Sequence, residues 1–349
     1  MNVLLVSPKM ENPNGGIAIW TDVYLSSCDN LGISYTLVNT QPVGARAKNG
    51  NAKRSFSDEI KRTKAIFSQL KEALQINEHD VAHINTSCGT FGIIRDYLIA
   101  KRIKKASPNT KIVIHYHCDI PFQVKGRIGR FFLSKLTKFA DVHLALCENS
   151  KRYLKERFSC ESIKIPNFIN ESVVRCDEKS ISQDVRRAFF VGRVSREKGA
   201  VELYELARRF PDINFCLAGA LTDELSDIER PKNVELTGAI PHDLVLDHMD
   251  KSDVFVFPTH SEGFSVALME AMARGLPVIT TDVGANRDMI EDFGGIIVEV
   301  ENVDALEAAM ETIRPQDVRK TMSTGNISKV RDNYTTEAVM KKIIASYEG

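Results

Sequence analysis

The feature that most constrains this chain is a rhythm that runs through it twice: short apolar, β-branched runs alternate with longer amphipathic stretches. Residues 2–7, 35–39, 80–85, 111–117 and 141–146 read as strands, with helices expected between them over 17–30, 58–77, 92–106 and 126–140. The second half repeats the pattern with strands over 188–192, 213–219, 233–237, 253–258, 277–281 and 295–299. Strands that are apolar on both faces need cover on both faces, and an intervening helix makes the sheet parallel. The pattern therefore predicts an α/β chain of two doubly wound, Rossmann-like halves. Ligands of such sheets bind beyond the carboxyl ends of the strands, so a central cleft faced by both halves is the expected site.

A length of 349 residues suits two domains at roughly 150 residues each. The turn-forming run from Ile165 through Pro166, Asn167, Phe168 and Ile169 to Asn170 leads into the polar stretch 176–184 and reads as the interdomain connection. The expected first domain is 1–165 and the second 166–333, with a C-terminal helix of about 334–349 packing back on the first. Lys plus Arg (46) equals Asp plus Glu (46), a balance that gives no ground for a nucleic-acid partner. The halves differ. Residues 1–165 hold 25 basic and 14 acidic residues, net +11, and residues 166–349 hold 21 and 32, net −11. A basic first half suits anionic partners.

Seven cysteines without a Cys-x-x-Cys pair read as buried free thiols in a reducing compartment rather than as a disulfide framework or zinc site. The run from Met1 to Pro8 lacks the basic and long apolar regions of a signal peptide. No apolar run approaches the roughly 18 residues a spanning helix needs. The expected location is the cytoplasm. The basic, Gly-containing stretch 44–57 reads as a surface loop.

The richest segment for chemistry is 258–275, PTHSEGFSVALMEAMARG. A strand enters a loop holding Glu262 and Gly263, and a helix starts near Ser265, a good N-cap, ending before Gly275. The N–H groups of Gly263, Phe264 and Ser265 would point from a positive helix end toward an anion such as a diphosphate. Glu270, set in an apolar helix, either accepts hydrogen bonds from groups such as ribose hydroxyls or lies on a solvated face, and the pattern leaves both readings open. The second segment, 189–199, FFVGRVSREKG, offers Arg193, Arg196 and Lys198 at another strand–helix junction. An Arg fork and a Lys point charge suit a pyrophosphate, against the alternative of a solvated basic turn.

Taken together, EGFSVALME, with Glu262 and Glu270 separated by seven residues, and VGRVSREKG resemble the signature elements of the family-4 retaining glycosyltransferases. GLPVITTDVG at 275–284, GGIIV at 294–298 and the Pro-Asn of 166–167 are similar to that family's other landmarks, with Phe168 where the family usually has Gly. The resemblance covers the whole chain and is specific in the second half. It implies a GT-B fold, in which the second domain grips a nucleotide-diphospho-sugar and the first presents the acceptor. By position, Arg193 and Lys198 would neutralise the leaving diphosphate, Glu262, Gly263 and Phe264 would contact the transferred sugar and phosphate, and Glu270 would take the ribose hydroxyls. The implied enzyme is a hexosyltransferase, moving a hexose or N-acetylhexosamine from a UDP- or GDP-linked donor. No Asp-x-Asp occurs, so the expected reaction is metal-independent and the expected cofactor is none. A sugar-nucleotide epimerase and a catalytically silent GT-B binding subunit are the alternatives. Absence of Gly-x-Gly-x-x-Gly after a strand, of a P-loop, of Gly-x-Ser-x-Gly and of His-Glu-x-x-His excludes the usual oxidoreductase, NTPase, serine hydrolase and zincin signatures.

In the first domain, Gly15 and Gly16 follow the first strand and open a helix, either as a plain turn or with N–H groups near a phosphate, and they resemble the family's N-terminal Gly-Gly loop. Strand alternation puts His115 and His117 on one face. The family carries a His at this strand end, and His117 is the better match, placed to bond the transferred sugar or orient the acceptor. His115 and His83 read as packed histidines, and Asp119 as a partner behind His117. The stretch 126–140 combines Arg127, Arg130, Lys135 and Lys138 with Phe131, Phe132, Leu133, Leu136 and Phe139. It either rests on an anionic membrane surface, at the inner face, or packs its aromatics on the sheet. The membrane reading fits a lipid-linked saccharide acceptor in surface polysaccharide synthesis.

Overall fold

A computed structural model of the chain describes residues 1–10, 16–44, 55–290 and 293–349. It separates into two compact units, Met1–Asn167 with Val339–Gly349, and Phe168–Ala338. The chain thus leaves the first unit inside the Pro-Asn turn and returns to it within its last helix.

The first unit runs β1 (Asn2–Ser7), α1 (Gly16–Leu31), β2 (Ser34–Asn39), α2 (Phe56–Ile76), β3 (Val81–Thr86), α3 (Thr90–Ala106), β4 (Lys111–Tyr116), α4 (Ile120–Gln123), α5 (Arg127–Leu136), β5 (Val142–Ala145), α6 (Glu148–Phe158) and β6 (Ile163–Lys164). Among the described residues its sheet has the order β2-β1-β3-β4-β5-β6, every pair parallel. Val3–Val6 and Ile112–Ile114 are fully buried because helices cover both faces, each such side chain contributing about 1.5–3 kcal/mol. The two-residue β6 is too short to leave an alternation in the sequence. The helix expected over 126–140 ends at Leu136, where the chain turns toward β5. Residues 45–54, most of the expected basic loop, lie outside the described residues, as does Gly15; Gly16 opens α1.

The second unit runs β7 (Arg187–Val191), a 3₁₀ turn (Arg196–Lys198), α7 (Ala200–Arg209), β8 (Asn214–Ala218), β9 (Val234–Gly238), α8 (His242–Asp250), β10 (Val254–Phe257), α9 (Val266–Ala273), β11 (Val278–Thr281), α10 (Asn286–Ile290), β12 (Gly295–Val298), α11 (Val303–Thr312) and α12 (Gln316–Asn333). Its sheet, again parallel, has the order β12-β11-β10-β7-β8-β9 among the described residues. The winding reverses between β7 and β10. A reversal makes the two following loops part to opposite faces and opens a crevice at the strand ends. That topology alone singles out the loops after β7 and β10.

The last helix, α13 (Thr336–Glu348), starts in the second unit and ends on the first. Its Tyr347 is buried with its hydroxyl 2.7 Å from that of Tyr24 and 2.5 Å from His83 Nδ1, and Lys111 Nζ donates to its carbonyl at 3.0 Å.

One expectation is overturned. Cys88 and Cys118 form a disulfide, with Cα atoms 6.5 Å apart, so not all seven cysteines are free thiols. The reason lies in the register. Thr86 of β3 pairs with Tyr116 of β4, and the residues two beyond each strand end meet side by side. Cys28, Cys147, Cys160 and Cys216 are buried outside any disulfide, and Cys176 is exposed.

Candidate functional site

At the reversal in the second unit, the loop after β7 and the loop after β10 are tied together at three points. His260 N–H donates to the Glu197 carbonyl at 2.9 Å, Lys198 Nζ donates to the Ser261 carbonyl at 3.1 Å, and the same ammonium pairs with Glu262 Oε1 at 2.6 Å. Lys198 and Glu262 side chains are each 17% exposed, so this ion pair is largely withdrawn from water. Burial pushes the Glu262 carboxyl up, while the Lys198 ammonium beside it pulls it back down. A lysine ammonium has three donors. Two are used here, and among the described residues the third has no acceptor.

The helix start adds donors. Ser265 caps α9, its hydroxyl accepting from Leu268 N–H at 3.2 Å. The N–H groups of Gly263, Phe264 and Ser265 meet no acceptor among the described residues. The Phe264 ring is turned away, nearly buried and edge-on to Tyr334 at 5.6 Å, so only its backbone is available to a ligand. Gly284 braces this loop from below. At φ +55° its Cα lies so close that a Cβ would sit 2.4 Å from the Glu262 carbonyl oxygen and 2.6 Å from that of Gly263. Ala285 N–H then donates to the Gly263 carbonyl at 2.9 Å.

Glu270, on α9, points one oxygen at His242 Nε2, 2.7 Å away, and its side chain is only 12% exposed. It therefore does not lie on a solvated helix face. Hydrogen bonding to Glu270 raises the His242 pKa, against the opposing effect of burial. Arg193 is half-exposed, its Nη2 3.6 Å from Glu197. Arg196 is fixed through its backbone, N–H to Glu224 Oε1 at 2.9 Å. The structure thus brings Lys198, Glu262, Gly263 and Ser265 together, and sets Arg193 and Glu270 on the same strand-end loops and following helix.

Sequence reasoning missed His242 and His260. His260 bridges Glu202 on α7, at 2.8 Å, and Glu301, at 3.6 Å. A histidine straight after a strand end, in THSEG, was the available signal for His260; for His242 it was only its place after the Gly238 turn.

In the first unit, His117 Nε2 lies 3.0 Å from Asn85 Oδ1, which also faces His83 Nε2 at 3.0 Å. Asn85 Nδ2 donates to Ser7 Oγ at 2.9 Å, so Oδ1 must accept from both rings. The Tyr347 hydroxyl then donates to His83 Nδ1. His117 is left with Nδ1 as an acceptor, beside Asn167. Burial pushes His117 and His83 down to about 3, and His115 also falls well below the ordinary histidine value. All three are neutral at physiological pH, so His117 can accept a hydrogen bond from a hydroxyl but does not supply a charge. Asp119 holds Asn149 Nδ2 at 3.0 and 3.1 Å and stands at the N-cap position of α4.

A parallel sheet whose winding reverses, with a cation and amides that meet no acceptor among the described residues at the reversal point, is a geometry suited to an anionic ligand. Solved structures agree on the fold. Sucrose-phosphate synthase from Thermosynechococcus elongatus superposes with a TM-score of 0.76 at 16% identity, covering 99% of this chain and 98% of that one. Anabaena HepE, solved in complex with UDP, gives 0.74 at 13% identity over the full length of both chains. These neighbours are GT-B glycosyltransferases, and this chain has the GT-B fold. Residues 177–324 match the family model described as glycosyl transferases group 1. Residues 177–324 are thus similar to the group 1 glycosyl transferases, and the chain is an enzyme of the glycosyltransferase class. Among curated proteins it is similar to a glycosyltransferase of Methanocaldococcus jannaschii, MJ1178, at 27% identity over 70% of this chain and 77% of that protein. It is also similar to the putative teichuronic acid biosynthesis glycosyltransferase TuaC of Bacillus subtilis, at 30% identity over 57% of this chain. It matches the capsular polysaccharide biosynthesis glycosyltransferase CapM of Staphylococcus aureus at 28% over 45% of this chain. The matches span about half the length of these last two relatives, 53% and 44%.

Proposed function

We propose that the chain is a family-4 retaining glycosyltransferase that moves a hexose or N-acetylhexosamine from a UDP- or GDP-linked donor to a hydroxyl of a lipid-linked saccharide during surface polysaccharide assembly. The observation that carries this reading is the Lys198–Glu262 pair, whose ammonium keeps one donor without an acceptor among the described residues, and whose carboxylate is on the same loop as three amides that meet none there. As the donor's glycosidic bond breaks, negative charge grows on the diphosphate and oxocarbenium character on the sugar. Lys198, Arg193 and the leading amides of α9 stabilise the first electrostatically. In this reading Glu262 faces the sugar, and Glu270 takes the ribose. The departing phosphate assists attack on the same face, which retains the anomeric configuration. Cationic side chains in this position do what a divalent ion would, so transfer proceeds without metal.

The test is incubation with UDP-, GDP- and ADP-sugars in EDTA. Nucleoside diphosphate release from a UDP- or GDP-sugar is the expected result. An epimerised sugar nucleotide without release, or no turnover of any donor alongside tight nucleotide binding, overturns it in favour of an epimerase or a silent subunit.

The basic edge of the first unit supports the lipid-linked acceptor. No acidic residue occurs between 120 and 140, while Lys125, Arg127, Arg130, Lys135 and Lys138 do. In the α5 region Leu133 and Leu136 are buried and Phe132 and Phe139 pack against Tyr97, whereas Ile128 is 63% and Phe131 56% exposed. Lys135 lies over the Phe131 ring at 5.4 Å, an apolar surface interleaved with charge that suits an anionic bilayer. Among the described residues no helix is long and apolar enough to cross a membrane. The protein is expected to sediment with phosphatidylglycerol vesicles at low salt, to be released by salt on the scale set by screening, and to lose binding in Phe131→Ser with Ile128→Ser. Failure to sediment at low salt contradicts the membrane assignment.

A further inference from the structure

Glu270 is the carboxylate that the proposed function assigns to the ribose, yet one of its oxygens is already taken. His242 Nε2 lies 2.7 Å from Oε1, and no bond to Oε2 exists among the described residues. His242 itself is 59% exposed, at the first position of α8 behind Pro241, while Glu270 sits deep in α9. The charged groups that face the imidazole are Glu270 and Asp243. A carboxylate on an apolar helix has few ways to hold its orientation, and a single strong bond to one oxygen fixes the plane of both. We infer that His242 is a positioning residue of the donor site: its Nε2–H anchors Glu270 Oε1 and presents Oε2 to a hydroxyl of the nucleoside's ribose.

This rests on the proposed function for the identity of the ligand, but not for the existence of the pair. His242→Ala removes the anchor and leaves the carboxylate free to turn. His242→Gln can donate from an amide N–H of similar reach. The expected result is a donor KM about tenfold higher in His242→Ala, the loss of roughly one hydrogen bond to a charged group, with kcat within about twofold of wild type. His242→Gln should recover most of that loss. Calorimetric titration with UDP and GDP should show the same order. A packing role alone would lower thermal stability and move KM and kcat together, with no rescue by Gln.

A second measurement needs no nucleotide. The His242 imidazole, followed by NMR, should titrate at lower pH in Glu270→Gln than in wild type. If Glu270→Gln leaves that titration unchanged, or if His242→Ala binds UDP and GDP as wild type does, the positioning role is overturned while the glycosyltransferase reading stands. If wild type binds neither nucleotide and turns over no nucleotide sugar, although the NMR pairing holds, it is the donor assignment that fails, and the inference falls with it.

Discussion

Lys198→Ala is expected to lower glycosyl transfer by about 10²–10³-fold, the scale seen when one preorganised donor to a developing anion is removed. Two effects combine. The diphosphate of the proposed donor loses a cation, and Glu262, 17% exposed, loses its counter-ion. An unpaired carboxylate at that depth is costly, and Glu262 will take up a proton more readily, since burial already pushes its carboxyl up. The variant should therefore be less stable as well as less active, and a direct assay of sugar transfer with a melting scan separates the two. Lys198→Arg keeps charge but not the compact geometry, and should recover stability more than rate. Transfer at the wild-type rate in Lys198→Ala contradicts the site.

Gly199→Ala should be nearly as damaging, though the residue has no side chain to do chemistry. Gly199 sits at φ +78°, between the 3₁₀ turn and α7, and a Cβ there would lie 2.2 Å from the Pro258 carbonyl oxygen and 2.7 Å from its carbon. Both offending atoms are backbone at the end of β10 and cannot swing aside. The left-handed conformation alone costs an alanine on the order of 1 kcal/mol, and relief of the clash must push the loop after β7 away from the loop after β10. Every tie between Lys198 and residues 261–262 crosses that gap. A loss of about 2–4 kcal/mol is expected, lowering the melting temperature by roughly 5–10 °C, together with a large fall in donor affinity. Calorimetry of unfolding and nucleotide titration check both. An unchanged melting temperature means the two loops are not in the close contact described.

The sequence carried most of the fold because short apolar, β-branched runs and longer amphipathic stretches are local signals, and their alternation is legible without knowing which elements touch. What it could not carry is which strands are neighbours. The pairing of Cys88 with Cys118, 30 residues apart, depends wholly on β3 lying beside β4, and Cys-x-x-Cys counting is blind to it. The same holds for Asn85, a polar residue in an otherwise apolar strand, which becomes the shared acceptor of His83 and His117 only once β1, β3 and β4 are side by side. The second unit's site was more legible. Lys198 and Gly199 stand together in sequence, as do Glu262, Gly263 and Ser265, since each set occupies one strand-end loop. That Lys198 pairs with Glu262 across 64 residues follows from the order β10-β7, a tertiary fact. His242 left no motif at all, because its importance lies in its partner rather than its neighbours.

A crystal structure of the protein grown with UDP or GDP in the presence of EDTA decides whether Lys198 and the α9 amides hold a diphosphate without metal. The diphosphate is expected within hydrogen-bond reach of Lys198 Nζ and of the Gly263–Ser265 amides, with the ribose on Glu270. A nucleotide seated elsewhere, with Lys198 still closed on Glu262 and no anion beside it, contradicts the account.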